Sequence, residues 1–424
     1  MPISLIIRIC LPALIFCACD LFMEPPDPSP PGPPPEKAYH AEILWAREVN
    51  RHVASGNPLI EGQYCYLPAY ENYYGGLPNI VKINMETGRV EWESKGIRGW
   101  STEKPQKIGA YIYLPAQSGF IYVYNDSDGK LAATVMLGED ETEAKNNAME
   151  SFTPAAVSGP YLFWGSSDAR YSSRNGLTRF DSRLIDFSKA PDAIQNIAPE
   201  QIWSNSWQAR IYVNLISENE ILYFITISYM PENPCVLVAL DAETGDVIWE
   251  REAPHCKGRE DFSLVLNGER LLVVEETFSS YDKSTGVPVL ENIPLGYGTR
   301  SFRCGRITLY NNRLFYIGNG DLVSVNADTG ALIWSVSPDH IETTGNTSFS
   351  TSPRVNNGQV FILHETGLRV YNADTGKFIG VDGSFRGKYG LQFSHEIAIY
   401  KDAYIFFNDR LGYVTAIRCI EEEP

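Results

Sequence analysis

The sequence predicts an all-β chain: an eight-bladed β-propeller of four-stranded antiparallel blades, closed into a ring by its N-terminal strand. Three observations predict it. Among 424 residues there are 24 Tyr, 19 Phe and 34 Gly against 6 Met and 6 His, a balance that favours strands and turns over helical stripes. One segment recurs: Ala239-Leu-Asp241-Ala-Glu-Thr244-Gly245-Asp-Val-Ile-Trp249 aligns with Ser324-Val-Asn326-Ala-Asp-Thr329-Gly330-Ala-Leu-Ile-Trp334 and with Lys82-Ile-Asn84-Met-Glu-Thr87-Gly88-Arg-Val-Glu-Trp92. A further copy is split between the two ends of the chain, as a ring sealed by its termini requires.

Taken from the N-terminus, residues 1–18 read as an export signal. Arg8 is the early positive charge, and Ile9 to Ala18 is apolar but too short to remain as a membrane-spanning helix. Phe16-Cys17-Ala18-Cys19 follows the pattern of a bacterial lipobox, which makes Cys19 the expected acylated residue of a lipoprotein, although Phe16 departs from the usual Leu. Residues 19–40 then form a stalk. The run Pro25 to Pro35 (PPDPSPPGPPP) cannot pack or form a helix and favours extended polyproline II, a semi-rigid spacer of roughly 34 Å. No later stretch has 18 uninterrupted apolar residues.

Residues 41–420 are expected to be a single propeller. In each repeat the Asp or Asn side chain bonds backbone two residues on, and Gly takes the positive φ that reverses the chain into the next strand, so every copy is a hairpin. Weaker copies stand at Tyr371-Asn372 to Gly376, Tyr281-Asp282 to Gly286 and Asn125 to Gly129. Two β-rich runs precede each hairpin and one more lies further upstream, giving four strands per repeat. The glycines at 245, 286, 330 and 376 recur with the period of about 40–50 residues expected of propeller blades. Final strands are expected near Trp45, Trp92, Leu131, Trp203, Trp249, Val289, Trp334 and Phe378, hence eight blades. Ile43-Leu44-Trp45 is expected to complete the C-terminal copy by pairing near Ile417.

Composition also excludes. Asp and Glu number 52 against 35 Lys and Arg, a net charge of −17, which repels phosphate backbones and argues against nucleic-acid partners. Past Cys19 the cysteines are Cys65, Cys235, Cys256, Cys304 and Cys419. Five is an odd number, so at least one stays unpaired; no two are adjacent and none forms C-x-x-C, which disfavours zinc and thioredoxin-type chemistry, and buried apolar roles with at most one or two disulfides are expected. The six histidines show no ligand spacing, and there is no G-x-S-x-G, Walker loop or dinucleotide fingerprint.

The Ala-x-Asp-x-x-Thr-Gly-x-x-x-Trp signature, complete at 239–249, is similar to the tryptophan-docking repeat of the pyrroloquinoline quinone (PQQ)-like family of eight-bladed propellers. That family holds quinoprotein dehydrogenases and also non-catalytic BamB-like lipoproteins of outer-membrane assembly. The dehydrogenases hold their quinone with an adjacent-cysteine disulfide and a calcium ion beside a catalytic Asp. This chain has no Cys-Cys pair, so the resemblance implies the BamB-like branch, with no cofactor and no catalysis. Fold alone does not fix function, and two rivals stay open: a PQQ-dependent or other enzyme, and a binder of a small ligand or glycan in the central channel.

The conserved-looking tryptophans of the repeat, Trp45, Trp92, Trp203, Trp249 and Trp334, are expected to wedge between blades. A different aromatic set precedes the first strand of most blades: Trp100, Phe152, Trp207, Phe262, Phe302, Phe349 and Phe393. Since innermost strands begin at the mouth of a propeller channel, these rings are candidates for a binding face. Arg98, Arg259, Arg300, Arg303, Arg306, Arg386 and Lys388 on the same connections would rim it with positive charge. Two excursions supply further candidates: Tyr73 and Tyr74 in blade 1, and Arg170 and Tyr171 in blade 3, whose long stretch Asp186 to Gln201 also breaks the period. Tyr-, Ser- and Gly-rich loops suit adaptable contacts. The acidic run Glu139 to Glu143 is expected to be a solvated loop.

The sequence therefore reads as a cell-envelope lipoprotein, expected on the outer membrane facing the periplasm, that works by binding another envelope protein. Cys19→Ser is expected to move the full chain from the membrane to the soluble periplasmic fraction. Fractionation followed by mass spectrometry of the N-terminal peptide checks this: unchanged membrane association without lipid on Cys19 contradicts it.

Overall fold

The computed structural model describes residues 39–48, 58–69, 79–94, 104–116, 119–147, 156–165, 176–204, 210–211, 215–227, 235–253, 263–274, 277–295, 307–318, 321–337, 353–364, 367–382, 397–401, 403–408 and 413–421. They belong to the unit Ala38–Pro424, so the expected signal, Cys19 and most of the stalk lie outside the described residues.

The strands form eight antiparallel four-stranded meanders in chain order. Blade 1 is Leu59–Glu61, Tyr64–Ala69, Asn79–Asn84 and Val90–Ser94. Blade 2 is Gln106–Ile108, Tyr111–Ala116, Phe120–Asn125 and Leu131–Met136. Blade 3 is Ala156–Ser158, Tyr161–Gly165, Gly176–Asp181 and Glu200–Ser204. Blade 4 is Ile216–Glu218, Ile221–Ile227, Cys235–Asp241 and Val247–Ala253. Blade 5 runs from Ser263–Asn267 to Pro288–Pro294, blade 6 from Thr308–Tyr310 to Leu332–Val336, and blade 7 from Arg354–Asn356 to Phe378–Asp382. Each expected final strand is the fourth strand of its blade, although in blade 2 a fifth strand pairs beyond it.

Blade 8 joins the termini. Ile397–Tyr400, Ala403–Asn408 and Tyr413–Glu421 are completed by Tyr39–Glu48, which runs antiparallel to Tyr413–Glu421 with Ile43 opposite Ile417. Trp45, Cys65, Leu67, Val81, Ile83, Val414 and Ala416 form one buried cluster across the seam between blades 8 and 1. Similar clusters fill the boundaries from blade 1 to blade 7, and strands of blades 7 and 8 lie against each other. The core is therefore a succession of apolar seams between sheets. Cys65 and Cys235 are both buried in these seams, as expected for small apolar side chains.

The repeat builds its own seams. In the blade 4 hairpin, Asp241 Oδ1 accepts from the backbone N–H groups of Glu243 and Thr244, and Gly245 turns the chain at φ +79°. The ladder then slips one register step before Trp249, a bulge of the kind that re-aims a side chain. Trp249 Nε1 donates to Lys283 O of blade 5 at 2.9 Å. Its ring lies so close over Gly286 that a Cβ there would sit 2.5 Å from it. Trp45 docks likewise on Met85 O and Gly88, Trp92 on Asp126 O and Gly129, and Trp334 on Ala373 O and Gly376.

At three of the remaining boundaries other side chains take the place of the docked indole. Trp203 is buried edge-on to Phe224, while Ile202 covers Gly245 and Arg179 donates to the carbonyls of Ala242 and Glu243. Phe278 and Ile293 of blade 5 cover Gly330, and Arg270 reaches Asp328 O. Between blades 2 and 3, the excursion after Asp181 folds back. Ile194–Asn196 pairs in parallel with Leu131–Met136 as a fifth strand, Phe187 stacks on Tyr111 at 4.3 Å, and Thr134 Oγ1 donates to Pro191 O. This stretch thus serves the ring rather than forming a free contact loop. It ends at 199, because Glu200 and Gln201 already belong to the last strand of blade 3.

The acidic run also departs from expectation. It opens the helix Glu141–Asn147, where Asp140 Oδ1 accepts from the N–H groups of Thr142 and Glu143 and Glu143 reaches back to the N–H of Glu139. Asp140 is thus the N-cap, and Glu143 reaches one residue further back than in a capping box. The helix seats Ala144, fully buried, against Gly119.

Deleting residues through Val49 removes the closing strand and exposes two sheet edges, so it is expected to lower the melting temperature by ten degrees or more. Deletion through Glu36 spares that strand and is expected to be nearly neutral. Thermal melts of the two truncations check this; equal melting temperatures contradict closure by Tyr39–Glu48.

Candidate functional site

A four-stranded meander places its connections on two faces. The turns between first and second strands, and between third and fourth, lie on one face. The second-to-third loops and the links to the next blade lie on the other.

The first face is made of tight turns. Gly62, Gly109, Gly159, Gly268 and Gly358 sit at positive φ in the first turn of their blades, and the Asx–Thr–Gly hairpins supply the second. Its polar groups are spent on neighbouring blades. Asp126, in the turn of blade 2, takes Lys82 Nζ at 2.6 Å and Tyr66 Oη at 2.5 Å on one carboxylate oxygen, with Lys107 Nζ 3.0 Å from the other. Lys82 also donates to Asp126 O and lies over the ring of Tyr64. Elsewhere Lys283 bridges Glu218 and Glu269, Arg313 meets Asp374, and Lys401 meets Glu86.

An Asp–Tyr–Lys group invites a catalytic reading, which its electrostatics do not support. Burial would raise the Asp126 carboxyl, but the hydrogen bonds from Lys82, Tyr66 and Lys107 outweigh it and hold the group below the usual carboxylate range. Burial, then the bond to Asp126, push the Tyr66 phenol well above its ordinary value. A carboxylate already engaged by three donors and a phenol held protonated make a poor base and nucleophile. The group ties blade 1 to blade 2.

The candidates read from the sequence can be located only by the strands on either side of them. Trp100, Phe152, Trp207, Phe262, Phe302, Phe349 and Phe393 all lie outside the described residues, as do Tyr73, Tyr74, Arg170, Tyr171 and the seven basic residues proposed to rim them. Their brackets are described. Trp100 falls between Ser94 and Gln106, Phe302 between Pro294 and Thr308, and Phe349 between Val336 and Arg354, each linking the last strand of one blade to the first of the next. Tyr73 and Tyr74 fall between the second and third strands of blade 1, and Arg170 and Tyr171 between those of blade 3. Every bracketing strand end therefore opens on the same face, opposite the tight turns. Sequence reasoning missed the cations Lys82, Arg179, Arg270 and Arg313, which share the docking with the tryptophans. Their recurrence at blade boundaries shows only once the sheets are paired.

Among the described residues, no group of three or more His, Cys, Asp and Glu is arranged to hold a metal ion.

Eight such meanders, with tryptophans docked on hairpin glycines at four of their boundaries, are those of a PQQ-like β-propeller. The family model of the outer membrane protein assembly factor BamB matches residues 193–418, more than half of the sequence, and the chain belongs to that family. Comparison with curated proteins gives no match. Among solved structures, BamB from Moraxella catarrhalis is 12% identical, with 89% of this chain and 98% of that one covered and a TM-score of 0.61. A europium-containing methanol dehydrogenase is 11% identical over 86% of this chain and 84% of its own, with a TM-score of 0.59. A quinohemoprotein alcohol dehydrogenase from Comamonas testosteroni is 11% identical over 91% and 78%, with a TM-score of 0.58. At such identities the structural likeness speaks for the fold.

The depressed carboxyl of Asp126 yields a pH prediction. A group whose pKa is lowered on folding stabilises above its unfolded value, near 3.9, and that stabilisation is lost as pH falls through the folded value. Asp126→Asn, which strands the charges of buried Lys82 and partly buried Lys107, is expected to cost on the order of 2 kcal/mol at pH 7. The gap to the parent is expected to narrow as pH falls from the unfolded carboxyl value, near 3.9, through the lower folded one. Denaturant melts at pH 7 and across that fall check this.

Proposed function

We propose that this protein is a non-catalytic, lipid-anchored scaffold of the cell envelope, held at the outer membrane and facing the periplasm, which binds another envelope protein through the face opposite its tight turns. The family match to an outer membrane assembly factor supports the scaffold role and the compartment. The observation that carries the choice of face is the asymmetry of the ring. The tight-turn face spends its polar groups between blades, whereas the aromatic and basic candidates all fall on segments that join strand ends of the other face. The export signal, the Cys19 lipobox and the Pro25 to Pro35 stalk support the anchor. The likeness to dehydrogenases extends to the fold, and the sequence has no adjacent cysteine pair of the kind that holds their quinone.

Phe302→Ala and Phe349→Ala test the assignment. A Phe packed between blades loses roughly 3–5 kcal/mol on truncation; a binding anchor loses little stability but about 2 kcal/mol of affinity, near thirtyfold. Both variants are expected to melt close to the parent and to capture less of the envelope protein recovered by crosslinking and identified by mass spectrometry. Large losses of stability with capture unchanged would assign both rings to packing and refute the proposed face.

A further inference from the structure

At the boundary between blades 6 and 7, one position breaks the apolar rule of the seams. Three residues before the Asx of the hairpin, blades 1, 4 and 6 place Val81, Val238 and Val323, each fully buried against the preceding blade. Blade 7 places Arg369 there, paired with Ile362 and Val381 in the sheet and only 7% exposed. Its Nε is buried with no acceptor among the described residues. No described carboxylate forms an ion pair with it: Asp321, across the seam, is engaged by the hydroxyls of Ser335 and Ser337.

A guanidinium Nε buried without an acceptor is unfavourable, and such a group calls for an explanation beyond packing. The surroundings supply one. Arg369 lines a groove of about 550 Å³, bounded by Val336 and Ser337 of blade 6 and by Tyr371, Lys377 and Phe378 of blade 7. Tyr371 and Phe378 meet edge to face at 5.4 Å, and Phe378 stays 42% exposed, an apolar shelf beside the cation. Lys377 stands exposed at the groove. Two cations with an apolar shelf, on a chain of net charge −17, form a local site for an anion with an apolar body.

We propose that this groove binds a carboxylate-bearing peptide segment of a partner protein, its carboxylate on the Arg369 guanidinium and an apolar side chain on Phe378 and Tyr371. A planar fork matches the two oxygens of a carboxylate, and the apolar shelf favours a peptide over free phosphate. The site names the chemistry of one contact of the scaffold and rests on that reading.

The test uses the purified full chain and three peptides, read by isothermal titration calorimetry. Acetyl-Ala-Phe-Leu-Glu-Leu-Ala-amide carries a side-chain carboxylate. Its Gln counterpart with a free C-terminus carries a terminal one, and the same Gln peptide with both ends blocked carries none. At least one carboxylate peptide is expected to bind tenfold or more tightly than the blocked control, and which one identifies the source. Arg369→Gln is expected to abolish that preference, and Lys377→Ala, at an exposed position, to weaken it severalfold. Arg369→Leu is expected to melt no lower than the parent. Equal binding of all three peptides, an unchanged preference in Arg369→Gln, displacement of the peptide by equimolar inorganic phosphate, or a lower melting temperature for Arg369→Leu would each overturn the proposal. Synthetic peptides leave envelope capture independent, so this site and the scaffold reading fail separately.

Discussion

The ring depends on one contact made repeatedly: an indole from the last strand of a blade laid over the glycine of the next blade's hairpin, with its N–H on a carbonyl of that turn. Three requirements meet at this point. The hairpin needs positive φ, the ring needs the space a Cβ would fill, and the turn exposes a carbonyl that must be satisfied. Glycine answers the first two, and the indole the third. A large apolar surface is buried in the same stroke, of the order of 3–5 kcal/mol for one aromatic side chain. Because each blade is docked on its neighbours, the ring gains its full value only when the last boundary closes, which the pairing of Ile43 with Ile417 achieves.

The same contact divides the labour between the two faces. Docking occurs where hairpins turn, so that face must be tight, and cations such as Lys82, Arg313 and Arg270 are drawn there to bind turn carbonyls. Loops positioned by a rigid scaffold commonly vary in length and chemistry, and the tryptophan docking seen among the described residues lies at the hairpins rather than at the connections opposite. A partner-binding role is compatible with this division because binding residues can change there without disturbing a seam.

Most of the fold was legible because its determinants are local. Asp241-to-Gly245 and its copies encode both the turn and the docking surface within a few residues, and alternating Val, Leu and Phe encode the strands. Legibility failed where contacts are distant. Nothing around Ile194 announces that it will pair with Thr134, and Ile202 is not marked as the residue that replaces Trp203 over Gly245. The helix at Glu141 was signalled by Asp140 as an N-cap with Glu143 three residues on, but a single buried Ala144 is too faint an apolar stripe to read. The candidate binding residues were found as a pattern of aromatics before first strands, and the sheets assign their brackets to one face. Arg369 carried a signal that went unread: aligned on the hairpin Asx, it is charged where Val81, Val238 and Val323 are apolar.

A matched pair of glycines within blade 5 isolates the docking contact. Gly268 and Gly286 both adopt positive φ, +59° and +67°, but a Cβ at Gly268 meets nothing within 4 Å whereas one at Gly286 would lie 2.5 Å from Trp249. Backbone strain from alanine is thus similar at the two sites, about 1 kcal/mol, and only Gly286→Ala disturbs the indole. Denaturant unfolding of the two variants is the direct measurement: Gly286→Ala should lose about 2 kcal/mol more than Gly268→Ala, and equal losses would contradict a ring held by tryptophan docking.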